Sequence, residues 1–144
     1  MQVMCFHLMP YAALDLTKVA DDECLWVTYP NSNYDPQEGS KLYKRYLDEL
    51  EHGAQCGFHA IGVNEHHQTA FGLMPTPGVL AGALTQRNLG NAKLGVIGRS
   101  LPLLENPLAV AEEYAVIDNL TEGKLIAGFV RGIGAEYHTS GVNP

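Results

Sequence analysis

Residues 57–72 read GFHAIGVNEHHQTAFG. The stretch opens on a short apolar run, Ala60-Ile61-Gly62-Val63, and turns polar at Asn64-Glu65-His66-His67-Gln68. An apolar run of strand length that ends on a carboxylate and two imidazoles is the pattern of a buried strand presenting chemistry at its C-terminal end. Successive side chains of a strand point to opposite faces, so Glu65 and His67 are expected on one side and His66 on the other. Three such groups do not converge on one metal ion. The arrangement suits one histidine in a pocket and its neighbour against the wall. A pair of hydrogen-bonded structural histidines accounts for the residue types equally well.

Working outward toward the N-terminus, the spacing of Leu42, Tyr46, Leu47, Leu50 and Ala54 predicts a helix with Ser40 as its N-cap and Gly57 at its end. Before it, residues 11–39 form a long irregular stretch carrying the acidic run 21–23 and several Pro and Asn. Loops of that length inside a compact domain are usually functional. Its Trp26, Tyr29 and Tyr34 serve either to cover a pocket or to pack the loop down. Residues 1–9 read as a first, buried strand stopped by Pro10.

Toward the C-terminus, Pro75-Thr76-Pro77 opens a helix over 79–87, and Lys93–Ser100 is a third apolar strand. Asn106 caps a further helix with Pro107 at its first position and Gly123 past its end. Leu125–Val130 is a fourth strand, followed at once by Arg131-Gly132-Ile133-Gly134. The order βαβαβαβ predicts a parallel sheet, open or closed into a barrel. Polar groups gather after strands two, three and four, where such folds place their sites.

The 144 residues suffice for one domain. Net charge is -7, with ten acids against four bases in residues 1–72 and six against five in residues 73–144. No basic stripe or stacking platform points to nucleic acid, and no apolar run has the length to span a membrane. Cys5, Cys24 and Cys56 are odd in number and irregularly spaced, which reads as reduced thiols in a cytoplasmic protein. Metal ligation is not expected, because Glu65-His66-His67 lacks an HExxH-type spacing. Gly132-Ile133-Gly134 is not a dinucleotide fingerprint, since it has no third glycine at the required spacing and no helix pattern following it. Arg131 at a strand end can hold a phosphate bidentately, or it pairs with a carboxylate such as Glu136. Strand alternation turns Arg99 outward.

Taken together, EHHQTAFG (65–72), SLPLLENPLAVAEEYAVIDNLTEGK (100–124) and GFVRG (128–132) closely resemble the bacterial luciferase-like flavin monooxygenases. The resemblance runs in order along essentially the whole chain. It implies an α/β fold, a partial TIM (β/α)8 barrel of about four βα units. Residues 1–144 would be the N-terminal half of that single domain, with the long loop at about 11–39 after the first strand. It implies FMN as cofactor, reduced by a flavin reductase and reacting with O2 to a C4a-peroxide that oxygenates a small organic substrate, or F420 in a hydride-transfer branch. A non-catalytic flavin-binding or dimerising subunit is the third reading, and the complete protein is expected to be a homodimer or other oligomer.

Residue by residue, the resemblance makes His66 the acid–base group. It makes Glu65 the carboxylate lining the cofactor site and Arg131 the phosphate contact. It sets Ile97-Gly98 where a non-prolyl cis peptide lies behind the flavin ring, and Val130 where luciferase has a reactive cysteine. His67 and Trp26 are assigned to the substrate pocket. Light emission is not implied. The chain by itself is expected to be inactive, since a four-stranded half would leave two open edges. The alternate set among Ile61, Val63, Val96, Ile97, Ile126 and Phe129 that faces inward would lack its opposite wall.

Overall fold

A computed structural model describes residues 1–19, 24–104 and 106–143. The acidic run at 21–23 lies outside the described residues. Four strands, β1 (Met4–Phe6), β2 (Ala60–Val63), β3 (Lys93–Ser100) and β4 (Leu125–Val130), form one parallel sheet in the order β1-β2-β3-β4. The register sets Met4 beside Ala60, Ala60 beside Lys93 and Leu94 beside Leu125. Short α1 (Leu25–Thr28) and long α2 (Pro36–Gln55) precede β2, α3 (Pro77–Leu84) precedes β3, α4 (Pro107–Leu120) precedes β4, and α5 (Gly134–Ser140) follows it.

Several boundaries differ from the sequence expectation, each for a local reason. The N-cap of α2 is Asp35, not Ser40: its Oδ1 accepts from Gln37 N at 2.8 Å and Glu38 N at 3.4 Å, and Pro36 takes the first helical position. That Asp-Pro pair is itself a helix-start signal, hidden in a stretch that reads as loop. The loop after β1 is shortened further by α1 and a 3-10 turn at Asn31–Asn33. The first strand is only three residues, Met4, Cys5 and Phe6, in register with Ala60, Ile61 and Gly62 of β2. The third helix starts at Pro77 and stops at Leu84, so Arg87 lies beyond it and donates from Nη1 to Asp48 and Glu51 of α2. A seven-residue helix does follow Gly132-Ile133-Gly134: Glu136, at its third position, accepts from Ile133 N at 2.8 Å and closes its first turn. The cap at Asn106 forms as expected, its side chain accepting from Leu108 N at 3.0 Å.

The helices cover one face of the sheet. Ile61, Val63, Leu94 and Val96 are fully buried there against Leu42, Tyr46 and Leu50 of α2, Leu80 and Leu84 of α3, and Val110 and Ile117 of α4. The stripe on α2 holds its expected spacing, with Leu42, Tyr46 and Leu50 buried. Phe129 joins this side, stacked on Tyr114 of α4 at 5.6 Å between ring centroids. The alternate residues occupy the other face, which no helix covers. There the side chains of Met4 and Ile97 lie across glycines. A Cβ at Gly62 would sit 2.8 Å from Met4 Sδ, and one at Gly95 would sit 3.2 Å from Ile97 Cδ1. Phe6 and Val130 remain 46% and 45% exposed. Of the six apolar residues named above, Ile61, Val63, Val96 and Phe129 therefore face helices, Ile97 faces the open side, and Ile126 shares a hollow with Met4 and Ala60.

Candidate active site

The C-terminal ends of β1 to β4 meet around a cleft of about 340 Å³ on the open face, lined by Phe6, Asn64, Glu65, His66, Ile97, Gly98, Val130, Arg131, Ile133 and Glu136. Six of the residues singled out from sequence thus border one space: His66, Glu65, Ile97, Gly98, Val130 and Arg131. The Ile97–Gly98 peptide bond is cis. His67 and Trp26 are elsewhere. His67 lines a second hollow of about 300 Å³ with Tyr34, Tyr43, Gln68 and Leu73, and His66 borders both spaces. Trp26 lines neither: its ring lies on His66 at 4.4 Å and meets Phe71 edge-on at 4.6 Å. The aromatic of the long loop therefore packs the loop onto the histidine. Gln68 and Asn31 fasten the same loop, since Gln68 Nε2 donates to Val27 O at 2.7 Å and Asn31 Nδ2 donates to Gln68 O at 3.2 Å.

Glu65 and His67 share a side, as alternation requires. Glu65 is engaged throughout by protein groups: Oε1 lies 2.7 Å from His67 Nε2, and Oε2 accepts from Arg99 Nη1 at 3.3 Å and Ser100 N at 3.2 Å. Its side chain is 0% exposed. The carboxylate thus ties β2 to β3, and a role as direct cofactor ligand does not fit the geometry. Arg99 was expected to turn outward but is directed inward, because the β3–β4 register shifts between Val96 and Arg99 and breaks strict alternation. It lies beside Tyr114, whose phenol is pushed well above its ordinary range, chiefly by burial, against the pull of Arg99 and with the help of Glu113 and Glu65.

His66 takes the other direction. Its Nδ1 lies 3.1 Å from Oε1 of Glu136, a carboxylate that is 4% exposed. Glu136, offered by the sequence as a partner for Arg131, is thus committed to His66 and to Ile133 N. Arg131 is held by its main chain, whose carbonyl accepts from Ser100 Oγ at 3.0 Å and Tyr137 Oη at 2.5 Å, while the residue is exposed at the cleft rim. Sequence reasoning missed three residues of the site. Glu136 carried no usable signal, because the N-cap of its helix is Ile133, which has no side-chain acceptor to announce a helix start. Arg99 was concealed by the register shift. Asn64 was only the first residue of a polar cluster, yet it is 5% exposed, borders the cleft, and among the described residues has no hydrogen-bond partner for either amide atom.

These groups suit a flavin. Phe6, Ile97, Gly98 and Val130 give an apolar wall, Asn64 supplies a donor and acceptor that are unused among the described residues, and Arg131 offers an exposed planar cation for phosphate. Among the described residues no group of three or more His, Cys, Asp and Glu is arranged to hold a metal ion.

The family model described as luciferase-like monooxygenase matches residues 24–144. The chain belongs to this family. It is 30% identical over 106 residues to the alkanal monooxygenase alpha chain of Photorhabdus laumondii, covering 69% of this chain and 28% of that one. It is 29% identical over 98 residues to the oxygenase component of the flavin-dependent trigonelline monooxygenase of Acinetobacter baylyi, covering 68% and 27%. Among solved structures, monooxygenase RslO1 of Streptomyces bottropensis superposes with a TM-score of 0.72 at 21% identity, over 99% of this chain and 37% of that one. The oxygenating constituent of 3,6-diketocamphane monooxygenase of Pseudomonas putida, solved in complex with FMN, superposes with a TM-score of 0.70 at 13% identity, over 98% and 32%. The chain therefore spans under a third of the length of these curated relatives. Its fold is a luciferase-like partial barrel, a parallel four-stranded sheet with helices on one face. Among the described residues no helix is long and apolar enough to cross a membrane.

Proposed function

We propose that this chain supplies the proton-handling and phosphate-binding side of the active site of a flavin-dependent monooxygenase that uses O2 to oxygenate a small organic substrate. The observation that carries this reading is the single cleft in which an imidazole, an apolar wall and an exposed guanidinium converge at the strand ends. FMN is favoured over F420 because a relative is named as flavin-dependent and a structural neighbour holds FMN. A relative named as an oxygenase component supports a separate flavin reductase as partner. The edges of β1 and β4 are where further strands of a closed barrel would pair, which supports reading residues 1–144 as one part of a single domain.

Reduced flavin would supply the activation of O2. Arg131 would hold its phosphate, Phe6, Ile97 and Val130 would exclude water from the ring, and His66 would move the proton that oxygen transfer demands. In an active enzyme His66→Ala is expected to lower turnover ~10²–10⁴-fold with flavin binding largely kept. Unchanged single-turnover oxidation would remove His66 from the mechanism.

The phosphate assignment is tested by fluorescence titration of residues 1–144 with FMN and with riboflavin. Binding is expected to be weak, since two edges of the sheet are open, but tighter for FMN. Arg131→Ala should abolish that difference, a loss of about 1.5–3 kcal/mol, or roughly 10- to 150-fold. Equal affinity of the unaltered chain for the two flavins would overturn the reading.

A further inference from the structure

We propose that Glu136 is the positioning residue that decides which ring nitrogen of His66 carries the proton, leaving Nε2 as the free base of the site. The importance of this for catalysis rests on the reading above, while its structural content does not.

A carboxylate accepts hydrogen bonds and donates none, so the Nδ1 that lies 3.1 Å from Glu136 Oε1 must carry a hydrogen. A neutral imidazole has one N–H, and the other nitrogen is then an acceptor. His66 Nε2 makes no hydrogen bond among the described residues, and His66 borders the cleft. The ring plane is restrained independently by Trp26 at 4.4 Å. His66 follows β2 and Glu136 follows β4, so the pair spans the mouth across β3.

The blander role for Glu136 is closure of the first turn of α5. That role occupies Oε2 alone, through Ile133 N at 2.8 Å, and the other oxygen is turned to the histidine. The two roles can be separated by Glu136→Gln. Glutamine serves as well as glutamate at the third position of a capped turn. With its carbonyl oxygen on Ile133 N, its amide nitrogen faces His66 Nδ1 and can only donate. Nδ1 must then accept, and the proton moves to Nε2. The helix is kept and the base is lost.

The test is long-range ¹⁵N–¹H correlation spectroscopy of the flavin-free chain with labelled histidine, about two units above the ordinary imidazole pKa of about 6.5. The chain has six histidines, and the His66 signals are assigned by their disappearance in His66→Gln. The unaltered chain is expected to show His66 mostly as the Nδ1–H tautomer. Glu136→Gln should reverse it to mostly Nε2–H, with thermal melting little changed. A predominant Nε2–H tautomer in the unaltered chain overturns the proposal, and so does an Nδ1–H tautomer that persists in Glu136→Gln. No flavin is present, so either result stands apart from the titration of Arg131.

Discussion

Two faces of one sheet are built here from alternate residues of the same four strands, and they have opposite fates. On the helix side Val63, Leu94 and Val96 are fully buried, and Glu65 and the Ser100 amide at the strand ends find partners. On the open side Phe6 and Val130 stay nearly half exposed, and the amide of Asn64 has no partner among the described residues. The contrast is sharpest between neighbours: Glu65 has both oxygens engaged, and Asn64, one residue earlier, has neither amide atom engaged. The helix face finishes the packing within these residues. The open face is left to bind something, and the cleft lies there.

The largest effect is expected from Glu65→Ala. Removing the carboxylate leaves Arg99, whose side chain is 12% exposed, as a buried charge facing nothing. It also strips Ser100 N of its acceptor and releases His67. Breaking a buried pair from one side costs ~3–5 kcal/mol, read as a fall in the urea midpoint. A loss under about 1 kcal/mol, the range of exposed pairs, would show that the ends of β2 and β3 are wet. The closed side would then be less finished than described.

A paired measurement tests the apolar half of the contrast. Leu94 is 0% exposed on the helix side, and Phe6 is 46% exposed on the other. Leu94→Ala should cost ~2–5 kcal/mol. Phe6→Ala removes a larger side chain yet should cost only about 1–1.5 kcal/mol, because only about half of its area is withdrawn from water and no closed cavity is left. If size and not covering decided the matter, Phe6 would cost more. Equal losses would mean that the open face is covered in solution, and a sedimentation run would show by how many copies.

The helix face was the legible one. Its signals are periodic and local: Leu42, Tyr46 and Leu50 at helical spacing, Asn106-Pro107 as cap and first residue, and three of the strands close to their limits. What failed was one local signal hidden in a loop-like stretch, and whatever depended on two segments at once. Pro36 reads as a loop breaker until Asp35 is seen capping a helix ahead of it. Arg99 points outward by alternation until β4 shifts its register against β3. Glu136 lies 70 positions from His66, and only the return of the chain after β4 brings them together. Six of the expected site residues do gather in one cleft, but Glu65 faces protein groups there, His67 lines the neighbouring hollow, and Trp26 covers the back of the histidine.

Asn64→Leu should have the smallest effect, and the opposite sign. Its amide oxygen and nitrogen are both buried and both unpaired, so the folded chain carries their desolvation cost with no hydrogen bond in return. Leucine has the same branched skeleton of four side-chain heavy atoms, with somewhat larger methyl ends, and no polar atom to desolvate. Replacing an unsatisfied buried group by an apolar one of similar shape is near neutral or favourable, and a gain of about 1 kcal/mol is expected as a rise in the urea midpoint of the flavin-free chain. The same substitution should weaken flavin or any ring with a donor–acceptor edge in the cleft, the usual opposition between stability and a site kept ready for a ligand. A destabilisation of more than about 1 kcal/mol would mean that the amide is already partnered, for instance by ordered water. The open face would then be satisfied without a ligand, and the difference between Asn64 and Glu65 would vanish.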